Sequence, residues 1–243
     1  MSTIMKQQTK TDAKNLEELL ANLSMLCPAS EISKEHESIV ADFLSTETQH
    51  RQNHRIARLL SSCGMKKNQV RTFDGFDWNF NLKLPKNDIL AFRNANWIAE
   101  PQNLVMIGDT GVGKTHWGKS LCYEAMLKGE SAYFITAQDL IAKIKNSARP
   151  EVKLARFGTH YTVLCIDELG YTAQSKEAGD ILFQIIAKRS EALPTIITTN
   201  LKPKEWGCLF AGPAATAILD RLSYNGHFLT MIGPSYRDKA RRK

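Results

Sequence analysis

Five short apolar runs constrain this chain more than anything else in it: LVMI at 104–107, AYFIT at 132–136, TVLCID at 162–167, TIITTN at 195–200 and FLTMI at 228–232. Stretches of helical character separate them. A parallel sheet with crossover helices on both faces produces that alternation. The expectation is an α/β domain with a parallel five-stranded sheet flanked by helices. The first run passes straight into Gly108-Asp109-Thr110-Gly111-Val112-Gly113-Lys114-Thr115, a full GxxxxGK[ST] pattern, and then into a predicted helix over 114–128. The glycines let successive backbone N–H groups turn inward toward phosphates, and the helix N-terminus adds its dipole. In that pattern Lys114 reaches the β- and γ-phosphates and Thr115 offers its hydroxyl to Mg²⁺. His116 follows as the next residue at the phosphate end of the helix.

A second strand should hold the metal. YTVLCIDELG supplies four apolar residues, Val163 to Ile166, and then Asp167-Glu168 at the strand's C-terminal end. Asp167 is placed to hold Mg²⁺, and Glu168 to polarise a water in line with the γ-phosphate. A third strand ends in Thr198-Thr199-Asn200, which sets the Asn200 amide beside the γ-phosphate. Turn initiation by Asn200 before Lys202-Pro203 is the alternative, but the order of phosphate loop, Asp-Glu strand and polar-tipped strand favours a sensor role.

The N-terminal part differs in character. Leu16, Leu19, Leu20 and Leu23 recur at helical spacing, so 14–26 reads as an amphipathic helix stopped near Pro28, and 33–62 as a second, longer one. Charge is segregated along the chain: residues 1–47 carry four Lys against eight acids, whereas 48–72 carry six bases and no acid. Arg51, Arg55, Arg58, Lys66 and Lys67 are the candidate contacts to a polyanion, nucleic acid being the commonest; a solvated helix face explains the same charges. Residues 1–72 are therefore expected to form a small all-α module for DNA or a partner, and 73–243 the nucleotide-binding domain. The aromatic stretch RTFDGFDWNFNLKLP (71–85) reads as the linker between them, with one of its rings available to flank a base.

Five widely spaced cysteines without a CxxC pair suggest reduced thiols in a cytoplasmic protein rather than a disulfide or metal framework. His50 and His54 share a helix face without a third ligand, so zinc is not expected there. No apolar run reaches the roughly 18 residues of a membrane span, and the polar N-terminus has no secretory h-region.

DELGY (167–171), ILFQIIAKR (181–189), TTN…EWG (199–207), AILDRL (217–222) and SYR (235–237), in this order after the phosphate loop, resemble the IstB family. These are transposition helper ATPases of insertion sequences, AAA+ proteins related to DnaC-type helicase loaders. The resemblance is dense from about 98 to 240 and looser before it. It implies ATP-dependent homo-oligomers on duplex DNA, ATP sites shared between subunits, and a transposase partner, with a replicative helicase as the alternative. It also implies that Arg221 is the arginine finger completing a neighbour's site; a surface salt bridge would place it equally well. Arg189 is a weaker interface candidate, since helix-dipole matching also accounts for it, and Arg237 matches the family without an evident role. A small P-loop kinase would leave Asp167-Glu168, Asn200 and the C-terminal Arg unexplained. Asp109-Thr110 stand where many relatives carry two prolines, and Trp117 where a small aliphatic is usual. Eleven residues (233–243) follow Ile232, too few for the helical lid of most AAA+ proteins, so no lid is expected.

Overall fold

The computed structural model describes residues 16–170, 175–208, 210 and 214–241. It divides into two compact units, Met1–Arg58 and Leu59–Lys243. In the first, α1 is helical over 16–22 and α2 spans Glu37–Ser62, running past the division. Leu16, Leu19, Leu20 and Leu23 bury one face of α1 around Leu44 of α2, with Val40 and Ala41 beside it. Residues 14 and 15 of the expected first helix lie outside the described residues. Its end comes before Pro28: Ser24 adopts φ 54°, Met25 N–H donates to Leu20 O and Ser24 N–H to Ala21 O. That left-handed cap satisfies the carbonyls which would otherwise be orphaned.

The second unit holds α3 (Lys86–Asn94), β1 (Asn103–Gly108), α4 (Lys114–Leu127), β2 (Ala132–Thr136), α5 (Ala137–Lys145) and α6 (Pro150–Ala155). After these come β3 (Val163–Leu169), α7 (Lys176–Arg189), β4 (Thr195–Thr199), α8 (Ala214–Ser223), β5 (Gly226–Met231) and α9 (Tyr236–Arg241). All pairings are parallel, in the order β2-β3-β4-β1-β5. Because side chains alternate along a strand, the apolar runs feed two cores. Leu104, Met106, Phe134, Cys165 and Ile196 pack under α3 and α4. Val105, Ile107, Ile135, Leu164, Ile166 and Ile197 pack under α5, α7 and α8. Parallel strands bring every C-terminal end to one edge, and that edge is where open α/β sheets bind ligands.

Residues 59–85 are part of this unit. Cys63 O accepts Phe134 N–H at 2.8 Å, so the backbone at 63–64 covers the β2 edge. Residues 71–85 do not behave as a linker. Phe73, Phe76 and Trp78 stand edge-on to the fully buried Trp117 at 5.1, 5.4 and 4.8 Å. A large ring at the start of α4 demands ring partners, each pair adding about 0.5–1.5 kcal/mol beyond the area it buries. Among the described residues no helix is long and apolar enough to cross a membrane.

Candidate nucleotide site

A cleft of about 780 Å³ opens at the C-terminal edge of the sheet, lined by Thr110 to His116 and by Glu168, Thr198, Thr199 and Asn200. Gly113, the residue before α4, has φ 108°, a conformation strained for any residue with a Cβ, and a Cβ there would come within 2.7 Å of Phe76. At Gly111 a Cβ would collide with Ser235 Oγ, and Tyr236 N–H donates to Gly111 O. The SYR triplet is thus seated on the phosphate loop, and Arg237 lines the same cleft. Nothing local in the sequence signalled this contact; only the family resemblance singled the triplet out.

Lys114 Nζ lies inside the loop, donating to Gly108 O at 2.5 Å and Asp109 O at 2.8 Å. Burial lowers its pKa, while Asp167 and Asp109 pull it back up and Arg237 adds a small push downward. A phosphate oxygen is a stronger, charged acceptor than either carbonyl. Val112 is turned into the core, so only its backbone can serve a ligand. His116 is half-buried, with Nε2 2.8 Å from Thr72 O and its ring edge-on to Phe76. Burial lowers its pKa, which makes it the neutral imidazole near pH 7.

Thr115 Oγ1 stands 3.1 Å from both carboxylate oxygens of Asp167. A hydroxyl beside a carboxylate at the foot of a phosphate loop is an all-oxygen donor set that suits Mg²⁺. Asp167 is 3% exposed, whereas Glu168 beside it is exposed to the cleft. A bulge produces the difference. Ile166 pairs with Ile197 but Leu169 with Thr199, so β3 carries one residue more than β4 there, and Glu168 takes φ 58°. A bulge re-aims side chains in this way at functional edges. Thr198 fills the gap: its Oγ1 accepts Glu168 N–H at 3.0 Å and donates to Asp167 Oδ1. In the sequence Thr198 is legible only as part of a strand.

Arg221 does not line this cleft; its Nη1 donates to Ala217 O and its guanidinium lies 5.0 Å from the Phe183 ring. Arg189 is corrected outright as an interface candidate. It is fully buried, and its five donors meet Thr195 Oγ1, Phe157 O, Tyr161 O, Thr162 O and Pro194 O. Burial lowers its pKa to about 9, so it stays charged at pH 7. It caps the π-helical turn Arg156–His160 and ties the starts of β3 and β4 together. Arg51, Arg55 and Arg58 are exposed on α2, with Arg51 paired to Glu47 at 2.6 Å; Lys66 and Lys67 are exposed in the second unit. Among the described residues no group of His, Cys, Asp or Glu has metal-binding spacing, and Cys27, Cys63, Cys122 and Cys165 are free thiols.

A phosphate loop leaving β1, an Asp-Glu pair ending β3 and a polar tip on β4, in a five-stranded parallel sheet, define a P-loop ATPase of the AAA+ class. The fold resembles a crystal structure of DnaI, with a TM-score of 0.61 at 22% identity, over 73% of this chain and 98% of that one. The chain belongs to the family of IstB-like ATP binding proteins, whose model matches residues 9–243. It is 38% identical over 170 residues to the insertion sequence IS232 putative ATP-binding protein of Bacillus thuringiensis subsp. berliner, covering 68% of each. It is 35% identical over 176 residues to the corresponding IS5376 protein of Geobacillus stearothermophilus, covering 71% of this chain and 70% of that one.

Proposed function

We propose that this ATPase assembles as a homo-oligomer on duplex DNA and assists the transposase of its own insertion sequence, each ATP site being completed by the neighbouring subunit. The observation that carries the reading is the distribution of the polar groups. Lys114, Thr115, Glu168 and Asn200 line one cleft, with the buried Asp167 carboxylate against Thr115, while Arg221 stands outside it on α8. A site with base, metal donors and amide in one subunit, and its arginine elsewhere, is completed most simply by a second copy.

The backbone N–H groups of Thr110 to Gly113 and the Lys114 ammonium would bind the phosphates. Thr115 and Asp167 would hold Mg²⁺, which would supply positive charge to neutralise the phosphates. Glu168, exposed in the cleft, accepts a proton from the attacking water, and Asn200 orients it. The neighbour's Arg221 stabilises the charge that develops on the γ-phosphoryl group. The basic face of α2 at Arg51, Arg55 and Arg58 would meet DNA phosphates without reading sequence, and so, separately in the second unit, would Lys66 and Lys67.

Complementation tests this arrangement. E168Q and R221A are each expected to bind ATP and hydrolyse it at least about 100-fold more slowly, the scale of losing an arginine finger or a positioned base. Mixed together, they form interfaces that join an intact Glu168 to an intact Arg221, and activity returns. Failure to recover activity, with both variants binding ATP and assembling, rules out a site shared in this way. Assembly that requires a replicative helicase, and ignores duplex DNA, would favour the loader reading instead.

A further inference from the structure

Beyond those assignments, one side chain has no role in any of them and touches two that do. Thr198 is 1% exposed on β4, two residues before Asn200. A hydroxyl has one proton and two lone pairs. Here the proton goes to Asp167 Oδ1 and a lone pair takes Glu168 N–H. That N–H belongs to the bulged residue, where the β3–β4 register shifts, so the hydroxyl takes the place of a ladder partner. Glu168 at φ 58° is in a backbone region that non-glycine residues occupy at a cost, and such conformers persist only when neighbours hold them. The Thr198 methyl faces α4, 3.8 Å from where a Cβ on Gly118 would stand. Thr199, on the opposite face, makes the companion contacts: its Oγ1 donates to Leu169 O and accepts Leu201 N–H.

We propose that Thr198 is a positioning residue for ATP hydrolysis: its single hydroxyl sets the orientation of the metal-binding carboxylate of Asp167 and the backbone turn that aims Glu168 into the cleft. Metal binding and aim of the base are then linked through one oxygen, and losing that oxygen degrades both. The inference rests on the roles given above to Asp167 and Glu168.

The test compares T198V, T198A and T198S with E168Q. T198A and T198S both lack the methyl and differ only in the hydroxyl. The measurements are kcat, the Mg²⁺ midpoint for binding a fluorescent ATP analogue, affinity for that analogue in EDTA, and the unfolding temperature without nucleotide. Removing an oxygen that orients a metal ligand typically costs about 10–100-fold in metal affinity or activity. T198V and T198A should therefore lose about that much in kcat and need correspondingly more Mg²⁺, with affinity in EDTA unchanged. T198S should return to within a few-fold of wild type. A lowered unfolding temperature with unchanged kcat and Mg²⁺ midpoint would make Thr198 a packing residue and overturn the inference. Equal behaviour of T198A and T198S would do the same. If E168Q itself turns over normally, the role of Glu168 fails, and the Mg²⁺ midpoint still decides whether Thr198 orients Asp167. Should T198V not fold, the alanine–serine pair gives the answer alone.

Discussion

Replacing Arg189 by lysine is the most exacting perturbation this structure offers, because it keeps the buried charge and changes only the donors. The arginine places five N–H groups on five acceptors: Thr195 Oγ1 and the carbonyls of Phe157, Tyr161, Thr162 and Pro194, at 2.7–3.1 Å. A lysine ammonium has three donors on one atom, so at least two of the five acceptors lose their partner. Burying an ammonium costs at least as much as burying the more weakly hydrated guanidinium, so desolvation does not offset the lost bonds. What remains is the loss of two or more charge-assisted bonds at about 1.5–3 kcal/mol each, or about 3–6 kcal/mol in all. Domains are stable by only about 5–15 kcal/mol, so the second unit should lose a large fraction of its stability at 25 °C. Equilibrium urea unfolding followed by tryptophan fluorescence measures this directly. All four tryptophans (Trp78, Trp97, Trp117 and Trp206) lie in the second unit, so the signal reports on that unit alone. A loss below about 1 kcal/mol would mean that the five bonds do not hold the starts of β3 and β4, and the reasoning would fail.

Two further outcomes are expected. Changing Arg51, Arg55 and Arg58 together to Gln should weaken duplex binding and reduce the slope of log K against log salt by up to about 2.7, at about 0.9 per phosphate contact. An unchanged slope in a filter-binding titration would remove α2 from the DNA interface. Burial holds the folded-state pKa of His116 below its ordinary 6.5, so between those two values the unfolded chain binds more protons than the folded one. The stability this contributes is fully present above pH 6.5 and is lost as pH falls through 6.5 toward the folded pKa. The difference between wild type and H116Q in unfolding midpoint should therefore shrink from pH 7.5 to pH 5.5; a difference independent of pH would contradict it.

The sequence alone determined the features whose cause is local. The five strands were legible because apolar runs of that length, bounded by polar turns, can only be buried strands or fragments of helix, and a phosphate loop settles which. Gly108 to Thr115 and Asp167-Glu168 were legible for the same reason: the chemistry needs those residue types at consecutive positions. Tertiary structure alone decided what depends on partners far along the chain. Arg189 ends a helix as countless surface arginines do, and only the carbonyls of 157, 161, 162 and 194 converging on it make it a core residue. The aromatics of 71–85 look like a linker in the sequence because their target, Trp117, lies across the fold. Ser235 and Tyr236 meet Gly111 from the far end of the chain. The two halves of the Asp-Glu pair are separated by a one-residue bulge that no periodicity announces, and a threonine on the next strand holds it. Hydrogen-bond donors and acceptors are satisfied in space rather than in sequence, and here it is their satisfaction that divides one acidic pair into a buried carboxylate, Asp167, held beside Thr115 and Thr198, and one, Glu168, exposed to the cleft.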